Sequence, residues 1–132
     1  MQHPSLSAWE DTLKKVLDHL DDTLEDQFGN HYKLHPARPE RGRTSNKSHD
    51  GLFDITANFT LGLGSERGKG YVIDIHLSTL EKIPGDIWNQ IEDLAVQKLR
   101  NTLKEHFPDK SLHVDRDGKI IKIYGDLSLG RV

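Results

Sequence analysis

The chain of 132 residues contains no cysteine, which excludes disulfide bonds, thiolate metal sites and a cysteine nucleophile. It also lacks a long apolar run, since its apolar stretches are far shorter than the ~20 residues that a membrane helix needs. The opening segment MQHPSLSAWE has neither a basic lead nor an apolar core, so we expect no signal peptide. We therefore expect a soluble, cytoplasmic protein that carries no cofactor.

Neither sign of charge dominates, because 18 lysines and arginines stand against 21 aspartates and glutamates. This balance argues against a protein that coats polyanions with its whole surface. The charges are nevertheless segregated: seven acids and two lysines lie within 7–28, whereas five basic residues and two acids lie within 29–50. The acids form either a solvated helix face or a surface that meets the basic segment after it.

A stripe of apolar residues at three- and four-residue steps predicts a first helix over 9–28. Ser7 and Glu10 have the spacing of a capping box at its start. Gly29 is expected to end it in a left-handed conformation.

A second stripe over 87–107 predicts another helix. Pro84 or Asp86 suits its first turn, and Pro108 is expected to end it. Trp88 and Val96 lie off this stripe, which indicates a second contact for the helix.

Two stretches alternate between apolar and polar residues, over 53–63 and 71–78, and predict strands joined at the turn GSERG. A hairpin centred on Glu66 gives these pairs: Phe59 with Ile73, Ala57 with Ile75, Ile55 with Leu77, Asn58 with Asp74, Thr56 with His76. In this arrangement Phe59 faces the helices and is buried. Asp117-Gly118 predicts a second hairpin turn, which pairs Val114 with Ile121 and Leu112 with Ile123.

These elements predict one α+β domain over 1–132 in the order α-β-β-α-β-β. Its two layers are a mostly antiparallel four-stranded sheet and two helices on the apolar face of that sheet. A long basic loop spans 30–50. The segment LSLGRV at 127–132 adds a last short strand or docks through Leu127 and Leu129.

The polar face of the first hairpin is one candidate site. It is predicted to gather Asp54, Thr56, Asn58, Asp74, His76 and Ser78. A carboxylate beside an imidazole fixes its tautomer and raises its basicity, so His76 is a candidate base with Asp74 or Asp54 as its orienting group. Thr56 and Asn58 would contact a ligand. The alternative is an ordinary solvated sheet face.

The segment HPARPERGRTSNKSHD, residues 35–50, is the other candidate site. Its cations can bind phosphate or carboxylate, and Arg67 and Lys69 could extend the patch. The candidate ligand-binding cations are Arg38, Arg41, Arg43 and Lys47. The partner would be an anionic ligand, RNA or an acidic protein, although RNA readers usually also expose stacking aromatics. The alternative is a solvated linker that contributes little stability.

Two further motifs predict no chemistry. His31, His35, His49 and Asp50 could form a loop metal site only in a suitable backbone, and Pro36 argues against helical spacing, so we predict no metal. GLGSERGKG is rich in glycine but leads into a strand, which favours a hairpin turn over a phosphate-binding loop.

The sequence favours a binding or interaction module over an enzyme. Two alternatives remain open: a small enzyme that acts on an anionic substrate through the polar sheet face, and a self-associating structural protein. Trp88 or the last strand would then form the contact, giving a homodimer.

Overall fold

The structure, a computed structural model, describes residues 4–60, 70–117 and 120–125. The elements are α1 (Pro4–Phe28), a short 3-10 turn (Lys47–His49), β1 (Phe53–Thr60), β2 (Gly70–Leu77), α2 (Gly85–His106), β3 (Leu112–Asp117) and β4 (Ile120–Gly125). The four strands form one antiparallel sheet in the order β1-β2-β4-β3. The predicted α+β fold and its α-β-β-α-β-β order are confirmed. Neither described helix has the length and apolarity needed to cross a bilayer.

The ends of α1 differ from the prediction. The helix begins at Pro4, so Ser7 lies inside it and the capping box is wrong. The helix ends at Phe28 as expected, but Gly29 does not have a positive φ. A Cβ at Gly29 would lie 2.5 Å from the carbonyl oxygen of Glu25, so close packing, rather than a left-handed turn, requires glycine there.

The predicted boundaries of α2 are confirmed. The helix runs over Gly85–His106 after Pro84 as its N-cap, and Phe107 is its C-cap. Val96, which lies off the main stripe, is buried. Trp88 is partly buried against the same core, and α2 packs on both α1 and β3.

The helices cover one face of the sheet, and the core lies between the two layers. Burial alternates along β2, where Ile73 and Ile75 are buried while Asp74 and His76 are exposed. The largest fully buried apolar side chains are Leu20, Leu24, Leu52, Phe53, Ile73, Ile91, Leu99, Ile121 and Ile123. The opposite face of the sheet is polar, as predicted.

Both hairpins have a register shifted by two residues from the prediction. Ala57 pairs with Ile73 rather than Ile75, and Val114 pairs with Ile123 rather than Ile121. Because side chains alternate with period two, this shift leaves every side chain on its predicted face. The first turn, with Arg67 and Lys69, the centre of the second turn at 118–119, and the segment 127–132 lie outside the described residues.

The position of Phe59 differs from the prediction more than the strand registers do. It lies on the helix side of β1, yet its side chain is 52% exposed. Its ring contacts the edge of Tyr71 at a centroid distance of 5.5 Å. The predicted burial of Phe59 between the helices is wrong. Phe59 lies on the edge strand, and its partner Tyr71 on the neighbouring strand β2 is the residue that is buried against Trp9 of α1.

Candidate anion-binding site

The loop between α1 and β1 is held to the helix by opposite charges. Arg41 Nη1 lies 2.8 Å from Asp21 Oδ1 and 3.3 Å from Asp50 Oδ1, while Nη2 lies 2.7 Å from Asp22 Oδ1. Lys47 forms a second ion pair with Asp22. The acidic end of α1 therefore meets the basic segment that follows it. The loop is packed, and the description of it as a solvated linker is wrong.

Burial and hydrogen bonding shift the pKa values of Asp21 and Asp22 in opposite directions. Asp21 is 2% exposed, and desolvation raises its pKa to about 7 although the charge of Arg41 opposes the shift. The nearby carboxylates of Glu25 and Asp22 add to the rise in the pKa of Asp21. Asp22 is more exposed: burial would raise its pKa, but hydrogen bonds from Lys47 and Arg41 outweigh burial and lower it.

Asp50 fixes the middle of the loop. Its Oδ2 accepts hydrogen bonds from Gly42 N at 3.2 Å, Thr44 N at 2.9 Å and Thr44 Oγ1 at 3.1 Å. Burial would raise the pKa of Asp50, but these bonds and the charge of Arg41 lower it. Gly51 follows with a φ of +73°, a conformation that favours glycine. The loop therefore has one specific conformation over this stretch.

Arg38 is held in a different way, entirely by main-chain oxygens. Its Nε donates to Gly51 O at 3.0 Å, and its Nη2 donates to Ser48 O at 2.6 Å, Asp50 O at 3.2 Å and Phe53 O at 3.2 Å. Within the described residues Nη1 donates to no protein atom, and no carboxylate forms an ion pair with the guanidinium. The side chain is therefore fixed in position while its charge is left uncompensated.

The other arginines in the described ranges all have a carboxylate partner. Arg41 pairs with three aspartates, and Arg43, 72% exposed, pairs with Glu40 at 3.6 Å. The remaining pairs are Arg100 with Asp115 at 3.1 Å, and Arg116 with Glu92 at 2.6 Å and Asp93 at 2.8 Å. Arg38 thus differs from them in having a positive charge ready for a ligand.

A cleft of about 290 Å³ lies where the loop meets the end of β2, next to Arg38. His35 N donates to Ser78 O at 2.8 Å, which closes the loop onto the strand. His35 Nδ1 accepts a hydrogen bond from Ala37 N at 3.0 Å, so Nε2 is the nitrogen left for a ligand. The residues that line the cleft are His35, Ala37, Arg38, His76, Ser78 and Thr79.

The polar sheet face adjoins this cleft through His76. The observed register places Asp54 directly opposite His76 and Thr56 opposite Asp74. Side chains at opposite positions of antiparallel strands have Cβ atoms about 5 Å apart. The predicted neighbours, Thr56 with His76 and Asn58 with Asp74, are wrong because of the two-residue shift.

The remaining predicted site residues lie away from the cleft. Thr56 and Asn58 are exposed further along β1, and Asn58 is opposite Val72. Asp74 is two residues from His76 on the same face. Of the predicted residues, Arg38, His76 and Ser78 line the cleft, and Asp54 lies opposite His76 on the neighbouring strand.

Sequence reasoning placed Ser78 on the polar sheet face, but it missed Thr79 and considered His35 only as a metal ligand. The contact that unites them, between His35 N and Ser78 O, joins residues 43 positions apart. No local pattern signals such a closure. The His-Pro step at 35–36 indicated only an extended backbone.

A larger cavity, of about 550 Å³, lies on the other side of the loop. Its carboxylates make it unfavourable for an anion: Asp22, Glu25, Asp26 and Glu40, with Arg41 as the cation. No group of three or more histidines, aspartates and glutamates in the described ranges is placed to hold a metal ion. The cleft at Arg38 is therefore the better candidate for a ligand site.

Comparison with known proteins places the chain in a family. No solved structure matches it. It is similar to an "Uncharacterized protein" of Borreliella burgdorferi strain B31, with 38% identity over 125 residues, which cover 95% of this chain and 98% of that protein. The sequence model of a family described as "Uncharacterised protein" matches residues 4–125, and the chain belongs to that family.

Proposed function

We propose that the protein is a small binding module whose ligand presents a phosphate or carboxylate group to the cleft between the loop and β2. The uncompensated charge of Arg38 carries this proposal. A guanidinium that is already fixed by four carbonyl oxygens loses little side-chain freedom on binding, and its unused Nη1 can donate to an anion.

The size of the cleft favours a small anionic group over a polymer. Its volume of about 290 Å³ is just below the roughly 300 Å³ at which the usual range of ligand pockets begins. Of the other loop cations, Arg41 and Lys47 are engaged with aspartates and Arg43 lies beside Glu40. RNA and an acidic protein would therefore find fewer available cations than the sequence indicates.

Titration of the protein at low salt with inorganic phosphate, acetate, a short RNA and an acidic peptide tests this proposal. We expect saturable binding of phosphate or acetate that weakens as salt screens the charge. Ala37→Glu places a carboxylate in the cleft without removing any hydrogen bond of Arg38, and should weaken binding by roughly tenfold or more. Arg43→Ala is the matched control and should leave binding unchanged.

Two outcomes would reject a cleft for small anions. One is an equal loss of affinity for phosphate or acetate in Ala37→Glu and Arg43→Ala, because this would assign binding to the general charge of the loop. The other is binding of RNA or acidic peptide without any binding of phosphate or acetate.

A second candidate function is an enzyme that acts on an anionic substrate. The pairing of Asp54 with His76 favours it, because a carboxylate beside an imidazole is the arrangement of a general base. Arg38 would bind the substrate anion beside that base. Hydrolysis of small phosphate and carboxylate esters, compared between the native protein and His76→Ala, tests this candidate. Turnover unaffected by His76→Ala would reject it.

Other expectations stay predictions that accompany this proposal. They are a cytoplasmic location, an organisation as one domain, a function without a cofactor, ligand contacts from Thr56 and Asn58, and a catalytic role for Asp74. Self-association is treated separately below, because it depends on a different surface.

A further inference from the structure

The main-chain groups on the outer edge of β1 have hydrogen-bond partners at its start but not along the rest of the strand that the structure describes. Leu52 O accepts a hydrogen bond from Ser78 N at 2.7 Å, so the even-numbered positions bond towards β2. Phe53 bonds away from β2: its N donates to Glu25 Oε1 at 2.8 Å and its O accepts from Arg38 Nη2 at 3.2 Å. Odd-numbered residues of β1 therefore point their main-chain groups outwards, and at Phe53 these groups have partners.

Beyond Phe53 the outward groups have no partner in the described part of the chain. They belong to Ile55, Ala57 and Phe59, and β1 is an edge strand of the sheet. The opposite edge is protected, since Arg100 donates to Val114 O at 3.0 and 2.7 Å. Among the residues that the structure describes, an arginine thus blocks one edge of the sheet, while half of the other edge is open.

The open edge lacks the features that normally prevent strand pairing. Residues 55–59, ITANF, contain no charge and no proline, and β1 shows no lysine that would repel a neighbouring strand. Phe59 is 52% exposed on the helix side. A hollow of about 390 Å³ lies beside it, lined by Leu13 and Leu17 of α1 and by Ala57. This combination is typical of an edge that another strand covers.

We propose that a second copy of this chain adds its own β1 to this edge, antiparallel and with the twofold axis at Ala57. Ala57 then faces Ala57 of the second copy, and Ile55 faces Phe59 in each direction. Each of these pairs exchanges two main-chain hydrogen bonds, which gives a partner to every outward group from Ile55 to Phe59. The two sheets become one continuous sheet.

The sequence of β1 suits this symmetric pairing. The small Ala57 lies on the axis, and on the polar face Thr56 meets Asn58, so neutral hydrogen-bonding side chains face each other. Asp54 is the one charge of β1 and would face the uncharged Thr60 of the second copy, so no like charges oppose. On the helix side, Phe59 of the second copy projects towards the hollow between α1 and Ala57.

The charge at the rim also favours a copy of this chain as the partner. Glu10 and Lys14 border the hollow, so the rim carries no net charge and two copies of it do not repel. An isologous interface requires a patch that is complementary to itself, and this edge is complementary to itself in hydrogen bonds, side-chain size and charge. The predicted contact at Trp88 is not needed.

Sedimentation velocity over a roughly hundredfold concentration range tests the proposal. We expect the native chain to dimerise reversibly. Phe59→Lys should weaken dimerisation by roughly tenfold or more, because it places a charge at the interface and removes the aromatic ring. Ile120→Lys is the matched control: Ile120 is 49% exposed, similar to Phe59, but lies on β4 away from this edge, and this variant should dimerise like the native chain.

A cysteine cross-link tests the position of the axis. The native chain has no cysteine, so Ala57→Cys introduces a single thiol that would face its own copy at a Cα distance of about 5.5 Å, within disulfide range. We expect mild oxidation to link Ala57→Cys into dimers much faster than Ile120→Cys. Any one of three results would overturn the proposal. The native chain could stay monomeric, the Phe59→Lys variant could dimerise normally, or the two cysteine variants could cross-link equally fast.

Discussion

Asp21 is nearly completely buried, and its carboxylate shares one arginine with two other aspartates. Its pKa is raised from 3.8 to about 7, mainly by burial, and the charges of Glu25 and Asp22 raise it further. The folded chain therefore holds a proton that the unfolded chain releases between about pH 4 and pH 7. The contribution of Asp21 to stability is present below pH 4 and is lost as the pH rises through 7.

Asp21→Asn tests this effect, because the amide cannot release the proton. Between about pH 5 and 7, the release of this proton should lower the free energy of unfolding of the native chain by up to ~1.4 kcal/mol per pH unit. The free energy of unfolding of the variant should lack this decrease. Urea unfolding at several pH values measures the difference. Asp22 and Asp50 have lowered pKa values, so their contributions are lost only at more acidic pH. Identical pH profiles for the two proteins would show that Asp21 ionises normally.

At the scale of elements, the loop behaves as a packed part of the fold. Arg41→Ala leaves the buried and ionised carboxylate of Asp50 without its cation, and breaking such a buried pair costs roughly 3 kcal/mol. Arg43→Ala removes an exposed pair with Glu40 and should cost less than about 0.5 kcal/mol. Urea unfolding of the two variants measures both losses. Equally small losses would mean that the loop is not held by Arg41.

The elements themselves were predictable because their periodicity is local. The stripes of α1 and α2 and the alternation in β1 and β2 each occur within one segment, and all four elements were identified. The registers were wrong by two residues, because alternation fixes only the face of each side chain and the turn decides the pairing. The exposure of Phe59 was missed since it depends on the order of the strands, which places β1 at the edge of the sheet.

The candidate site was predictable only in part. His76 and Asp54 follow from strand alternation, and Arg38 follows from the basic composition of the loop. Their approach to one another depends on contacts between residues distant in sequence, such as Arg38 with the carbonyl of Phe53. Composition also could not separate Arg38 from Arg41, because only the position of the acidic end of α1 determines which arginine is neutralised.

At the scale of the whole molecule, one residue links the two surfaces. Phe53 accepts a hydrogen bond from Arg38 through its oxygen and donates to Glu25 through its nitrogen. These two contacts position the guanidinium of the cleft and also end the open edge of β1. The proposed anion site and the proposed strand-pairing edge therefore lie next to each other, on either side of Phe53.

The central claim is that the uncompensated charge of Arg38 makes the cleft an anion site. The most direct test is a titration of the ¹⁵N-labelled chain with inorganic phosphate at low salt, observed through the amide resonances. We expect saturable shifts concentrated at 35–38 and 76–79, the segments that line the cleft. Two results would contradict the claim. One is a set of shifts confined to other cations, such as Arg43 or Arg100, and the other is the absence of any saturable shift in the cleft segments.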